Sequence, residues 1–283
     1  MPAAALSHRT LRALSRKGEP VLLSLLVNLF TRELVGVRIA VCIKRVPEMD
    51  VKFRVAPSGT AIDETGLKFD MGDFDGYALE VGLQLAEREG GEVTVVSLGP
   101  SSVQETLRKA LSMGAARAVH LEAERVPFDN YAVARALAVE LKGYDLVLFG
   151  KMAGDTASGS VGLMVAELLG IPMVHACSRL EVADGWVTAR REIEGGAEIV
   201  RMPLPGAASI DEGIARPRYP SLKGIMAAKK KPLEVRPANL GEERLTVVRM
   251  ELPPERQGGR IIGEGVAAVP ELVRLLQTEA KVL

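Results

Sequence analysis

From residue 37 onward, short and nearly continuous apolar runs alternate with segments whose apolar positions recur every three or four residues. VRIAVCIKRV, from Val37 to Val46, reads as a buried strand that runs out into a basic turn. VKFRV and the following PSGTAID read as a small hairpin or extended excursion. Asp73 to Glu87 then carries a helical spacing in Phe74, Tyr77, Ala78, Val81 and Leu85. EVTVVSLG, ARAVHL and YDLVLFG predict three more strands. Between the first two of these, Ser101 or Ser102 with Glu105 predicts a capping box, opening a helix that ends near Gly114. Asp129 predicts the cap of a helix that runs to Leu141, with Gly143 as its stop. Gly162 to Leu169 continues the alternation.

Strands alternating with helices of this length predict βαβ units. The fold class is therefore α/β, a mainly parallel sheet flanked by helices on both faces. After Gly170 the texture changes. MVHACSRLEV, WVTARREI, AEIVRMPLP and GAASI are strand-prone and broken by DG, GG and PG, which predicts hairpins added to the sheet edge. LTVVRM predicts a late strand, and PELVRLLQTEA, from about Pro270 to Ala280, a terminal helix. Three segments result: an N-terminal extension over 1–36, an α/β domain with edge hairpins over 37–210, and an arm with a C-terminal strand and helix over 211–283.

The extension is basic, and its apolar stretch from Val21 to Phe30 is too short to span a bilayer. It reads as an amphipathic helix, a targeting segment or translated upstream sequence. No membrane span follows. In the arm, RPRYPSLKGIMAAKKKPLE from Arg216 to Glu234, Leu222, Ile225 and Met226 fall three and four apart. A short helix puts them on one face, a pattern suited to docking on something else.

Charge and composition narrow the function. The 36 Lys and Arg balance 36 Asp and Glu, which argues against nucleic acid and other extended polyanions as partners but leaves room for a local phosphate site. Cys42 and Cys177 make no CxxC pair, pointing to a reducing compartment. His8, His120 and His175 are too scattered in sequence for a zinc motif, and no metal site is expected. Asp70, Asp73 and Asp75 have carboxylate spacing, but a polar turn at a helix N-terminus has the same look.

In parallel sheets, ligands bind beyond the carboxyl ends of the strands. Two loops meet that condition: Cys42-Ile43-Lys44-Arg45, and GKMAGDTASGSVG from Gly150 to Gly162. The second is not a Walker loop, because GKS or GKT is missing, and no early GxGxxG is present. Its glycines and serines, followed by a helix N-terminus, suit a nucleotide phosphate or another anion. They equally suit a connection whose glycines serve only geometry. No GxSxG or HExxH occurs, and Cys42 has apolar neighbours and no histidine nearby in sequence, so no catalytic residue is expected.

Four stretches together resemble the beta (small) subunit of electron transfer flavoproteins: VCIKRVPEMDVKFRV, SLGP with RKALSMGAARAVHL, the REIEGG hairpin, and the arm. The resemblance runs from about Val37 to near the C-terminus. It implies an electron-carrier subunit, not an enzyme, paired with an alpha subunit that supplies most of the site for a redox-active FAD. It implies a structural AMP in this subunit, acyl-CoA or other flavin-dependent dehydrogenases as donors, and a quinone oxidoreductase as acceptor. The compartment is then the cytoplasm of a prokaryote or the mitochondrial matrix of a eukaryote. Carried over residue by residue, the nucleotide wall comprises Cys42, Lys44, Gly72, Asp75, Leu98, Gly99, Asp155, Gly159, Ser160, Val161 and Gly162. The phosphate lies against the Gly159–Gly162 amides. Leu222 becomes the dehydrogenase anchor, supported by Ile225 and Met226, and Glu192 the residue that faces the flavin domain of alpha.

The chain departs from the family pattern twice. Gly72-Asp73 stands where many members have Asn-Pro, and Ser160 where glutamine is common. A beta subunit carrying a second FAD in an electron-bifurcating flavoprotein is therefore an alternative. A stand-alone nucleotide-binding regulatory protein is another, though it gives no reason for the apolar arm. An ATP-using ligase or hydrolase is a third.

Overall fold

A computed structural model describes residues 36–254 and 258–283; the rest of the predicted N-terminal extension lies outside them. The chain divides into two units. The larger takes in the described residues up to Lys52 together with Glu64–Val247.

Its strands and helices, in chain order, are β1 (Arg38–Cys42), β2 (Arg45–Pro47), β3 (Phe69–Met71), α1 (Asp73–Glu89), β4 (Glu92–Gly99), α2 (Val103–Met113), β5 (Arg117–Glu122), α3 (Asn130–Glu140), β6 (Leu146–Gly150) and α4 (Val161–Leu169). They continue through β7 (Met173–Ala183), β8 (Trp186–Ile193), β9 (Gly196–Pro203), β10 (Gly206–Ile210), α5 (Leu222–Ala228) and β11 (Leu233–Pro237). The main sheet has the order β11-β5-β4-β1-β6-β10-β7-β8-β9. Pairing is parallel from β11 through β7, and antiparallel only along β7-β8-β9. The expected α/β class holds. Both faces of the sheet are apolar because both are covered. Ile39, Val41, Val95 and Leu148 pack into one core cluster, while Ala40, Val96, Val147 and Phe149 join the other. Successive residues of one strand point to opposite faces, which divides them this way.

Local signals set most boundaries. Asp129 accepts the Tyr131 and Ala132 N–H groups and caps α3, as expected. Gly90 and Gly170 end α1 and α4 in the left-handed conformation. Other expectations are corrected. Ser102 precedes α2 without any side-chain cap, so there is no capping box; turns from Pro100 and Ser101 lead into the helix instead. GAASI is not an edge hairpin. As β10 it lies fully buried between β6 and β7, parallel to both. Its small side chains suit that crowded place. LTVVRM forms no strand; Leu245 and Val248 are exposed.

The smaller unit comprises Phe53–Asp63 and Val248–Leu283. The expected hairpin there is reduced to one bridge, Val55 to Ile62, and the Gly59 carbonyl accepts the Met250 N–H at 2.8 Å. The terminal helix is α6 (Val269–Leu275), with a widened π turn over Leu276–Ala280. No helix among the described residues is long and apolar enough to cross a membrane.

Candidate functional site

Strand order reverses between β1 and β6. The chain steps from β1 outward to β4 and β5, then returns to place β6 on the other side of β1. Loops leaving the carboxyl ends of β1 and β6 therefore splay apart, and a cleft opens between them. It is partly open to solvent.

Asp75, in the first turn of α1, ties the two loops together. One carboxylate oxygen accepts the Lys44 N–H at 2.8 Å and the other the Gly150 N–H at 3.2 Å. The side chain is only 6% exposed. Burial pushes its carboxyl up to about 7, against the two backbone donors and the Lys44 ammonium, which favour the charged form. Gly150 has to be glycine, because a Cβ there would stand 2.4 Å from the Asp75 Oδ1. At the mouth, the Lys44 Nζ reaches across to Asp155 at 2.6 Å, bridging the β1 loop to the glycine-rich loop.

That loop ends in two left-handed residues, Ala157 (φ 50°) and Gly159 (φ 59°), before α4 begins. The amides of its first turn have no partners within the helix. Ser160 offers no cap; its hydroxyl accepts a hydrogen bond from Asn130 Nδ2 at 3.0 Å. Gly162 lets the helix press onto the sheet, since a Cβ would lie 3.0 Å from Phe149 and Met173. Below the loop, Ser209 Oγ accepts the Ala176 N–H and lies 2.8 Å from His175 Nδ1. Ala176 has φ 57°, a β-bulge that shifts the β7–β10 register and places His175 under Gly159. Burial, then the Arg191 and Lys151 cations, hold the His175 pKa below its ordinary value.

Of the residues expected at a nucleotide, Cys42, Lys44, Asp75, Leu98, Gly159, Ser160, Val161 and Gly162 line this cleft. Asp155 stands at its rim through Lys44. Gly72 borders a different recess, beside Asp73 and Pro217, and the Gly99 carbonyl is taken up by His120 Nε2 and the Ala123 N–H. The Cys42 thiol is pushed up by burial and by the neighbouring Asp75 carboxylate, so it stays protonated and poorly nucleophilic. Unforeseen are Val126, Pro127 and Phe128, an apolar stretch of the lining, and the polar Asn130 beside it, whose Nδ2 donates to Ser160 in front of α4. They follow β5, another carboxyl strand end, and the rule that picked the other two loops was enough to find them. The arrangement can hold an anion at the start of α4 and a flat apolar group against the apolar stretch.

The second feature is the arm. Leu222, Ile225 and Met226 are 84%, 45% and 72% exposed on α5. Glu192, on β8, accepts hydrogen bonds from Ser178 Oγ at 2.9 Å and from Arg190, leaving its side chain about half exposed.

A family model described as "Electron transfer flavoprotein domain" matches residues 59–240. The chain belongs to the electron transfer flavoprotein family, among its beta subunits. It is 36% identical over 246 residues to the electron transfer flavoprotein subunit beta of Bacillus subtilis, covering 83% of this chain and 96% of that protein. The human protein of the same name is 39% identical over 232 residues, 78% of this chain and 91% of its own. That of Syntrophomonas wolfei is 32% identical over 251 residues, 87% and 98% respectively. In this chain the cleft and the arm both belong to the larger unit.

Proposed function

We propose that this beta subunit is the nucleotide-holding and partner-docking half of a two-subunit electron carrier. Its alpha partner bears the redox-active FAD. This chain holds a structural AMP in the β1–β6 cleft and docks acyl-CoA or other flavin-dependent dehydrogenases through α5. Electrons then leave toward a quinone oxidoreductase, and the chain itself makes and breaks no bonds.

The observation that carries the reading is the exposed α5 face. Leu222 and Met226 are far more open than apolar side chains of a folded unit need be, and they stand on a short helix held to the body. A few apolar anchors of this kind dominate transient interfaces. For the nucleotide, support comes from the free amides of the α4 first turn beside the Phe128 and Val126 wall.

Two measurements test the reading. Denaturing the purified native complex and counting released nucleotides gives one FAD and one AMP on this reading. Two FAD molecules per heterodimer replace it with the second-FAD form. In a dehydrogenase-coupled assay, Leu222→Ala lowers electron transfer while the flavin content stays whole. Equal transfer by variant and wild type sinks the docking role.

A further inference from the structure

The arm is fastened to α2 by two long cations that work in opposite directions. Arg108, on α2, sends its Nη1 to the Ala228 carbonyl at 2.6 Å and the Lys231 carbonyl at 2.8 Å, at the open end of α5. Lys231, just past α5, sends its Nζ back to the Leu111 carbonyl at 2.9 Å and the Ala115 carbonyl at 2.6 Å, at the open end of α2. The last carbonyls of a helix lack intrahelical partners, and a cation is favoured beside them. Each cation thus closes the end of the other element. Lys231 is therefore not part of a solvated lysine run, unlike Lys229 and Lys230, which are exposed.

The contact also fixes which way α5 faces. Gly224 and Ala228 are four residues apart and share one side of the helix. Ala228 is buried, and a Cβ on Gly224 would stand 2.3 Å from the Ser112 carbonyl. With that side pressed onto α2, Leu222, Ile225 and Met226 are turned outward. Upstream, Arg218 grips Glu80 at 2.8 Å and Glu87 at 2.5 Å on α1, so the arm is held before the helix as well as after it.

We propose that Arg108 and Lys231 are positioning residues for docking: they hold the α5 face in its binding orientation without touching the protein that binds it. This rests on the docking role of α5. A loose arm would have to be ordered at every encounter, and ordering weakens binding. The clasp has already ordered it.

The test uses the complete alpha–beta complex. Arg108→Met and Lys231→Met keep the aliphatic stems and remove the donors. Each raises the KM for the complex in dehydrogenase-coupled transfer about 5–10-fold, with kcat changed less than about twofold. Nucleotide content is unchanged, because neither residue lines the cleft. Arg108→Lys, which keeps one donating cation, recovers most of the loss. Gly224→Ala, which pushes α5 off the Ser112 carbonyl, reproduces the defect. Amide hydrogen exchange over 222–231 gives a readout independent of any partner, and it speeds up about tenfold in both Met variants. Unchanged exchange overturns the clasp. Faster exchange and an unchanged KM, in an assay where Leu222→Ala does raise KM, overturns its role in docking. An unchanged KM for Leu222→Ala itself marks the docking reading as the one that failed, and the positioning role falls with it.

Discussion

The cleft and the arm use apolar side chains in opposite ways. Around the cleft, Val96, Leu98 and Phe149 are buried by sheet and helices, and the polar groups that matter are backbone amides held in place by one carboxylate, Asp75. On the arm, the polar groups are spent on internal fastening while Leu222 and Met226 face solvent. Binding a small anionic ligand calls for preset donors in a protected site. Binding a large and transient protein calls for exposed anchors on a preset support. Damage at the cleft is therefore damage to the fold, whereas damage at the arm tip leaves folding untouched.

The largest effect that would separate the two is expected from Gly150→Ala. Its Cβ would lie 2.8 Å from the Asp75 nitrogen and the Phe74 carbonyl carbon, backbone atoms that cannot move alone. Overpacking of this kind costs about 3 kcal/mol, visible as a lowered urea midpoint together with loss of bound nucleotide. Asp75→Asn comes next. Its amide can accept one of the two backbone N–H groups but turns its own N–H₂ on the other, a loss of about 2 kcal/mol near neutral pH.

The same residue makes a pH prediction. The folded-state value of about 7 lies above the ordinary 3.8, so the native state holds the extra proton between them. The stability contributed by this group is complete below that window and is lost as pH rises through it. Urea titrations from pH 4 to 7 should show a wild-type slope from this group of up to about 1.4 kcal/mol per pH unit, removed in Asp75→Asn. Matching slopes in the two proteins would show that Asp75 does not titrate there.

Leu222→Ala sits at the other pole. With the side chain 84% exposed, unfolding free energy should stay within about 0.5 kcal/mol of wild type while partner coupling drops. A matching fall in stability would erase the contrast between cleft and arm. The smallest effect belongs to Lys229→Glu with Lys230→Glu. Both side chains are exposed, so charge reversal should slow association a few-fold at low salt and have little effect at high salt.

Much of the cleft was legible in the chain because its signals are local. The glycine-rich loop, the helix after it and the strand ends at Cys42 and Leu98 announce themselves by period and by breakers. The stretch from Val126 to Asn130 was missed because it carries no glycine-rich signature; only its place after the carboxyl end of β5 pointed to it. Asp75 looked like a ligand contact or a helix-dipole charge, and only the approach of two distant loops gives it both backbone N–H partners. In the arm, the exposed triad was readable from spacing, but Lys231 was hidden inside a run of like residues. Which lysine turns inward depends on where α2 ends, not on the run itself.

The sequence by itself determined the alternation of elements, the α/β class, the position of the glycine-rich loop and the amphipathic face of α5. These depend on side chains a few residues apart, and their periods are written directly in the chain. Tertiary structure decided the rest: GAASI as a central strand, LTVVRM as no strand, Asp75 as a tie between loops, and Arg108 with Lys231 as a clasp. Each of those depends on partners brought from far along the chain, and a backbone carbonyl has the same sequence signature whether its partner is water or an arginine more than a hundred residues away.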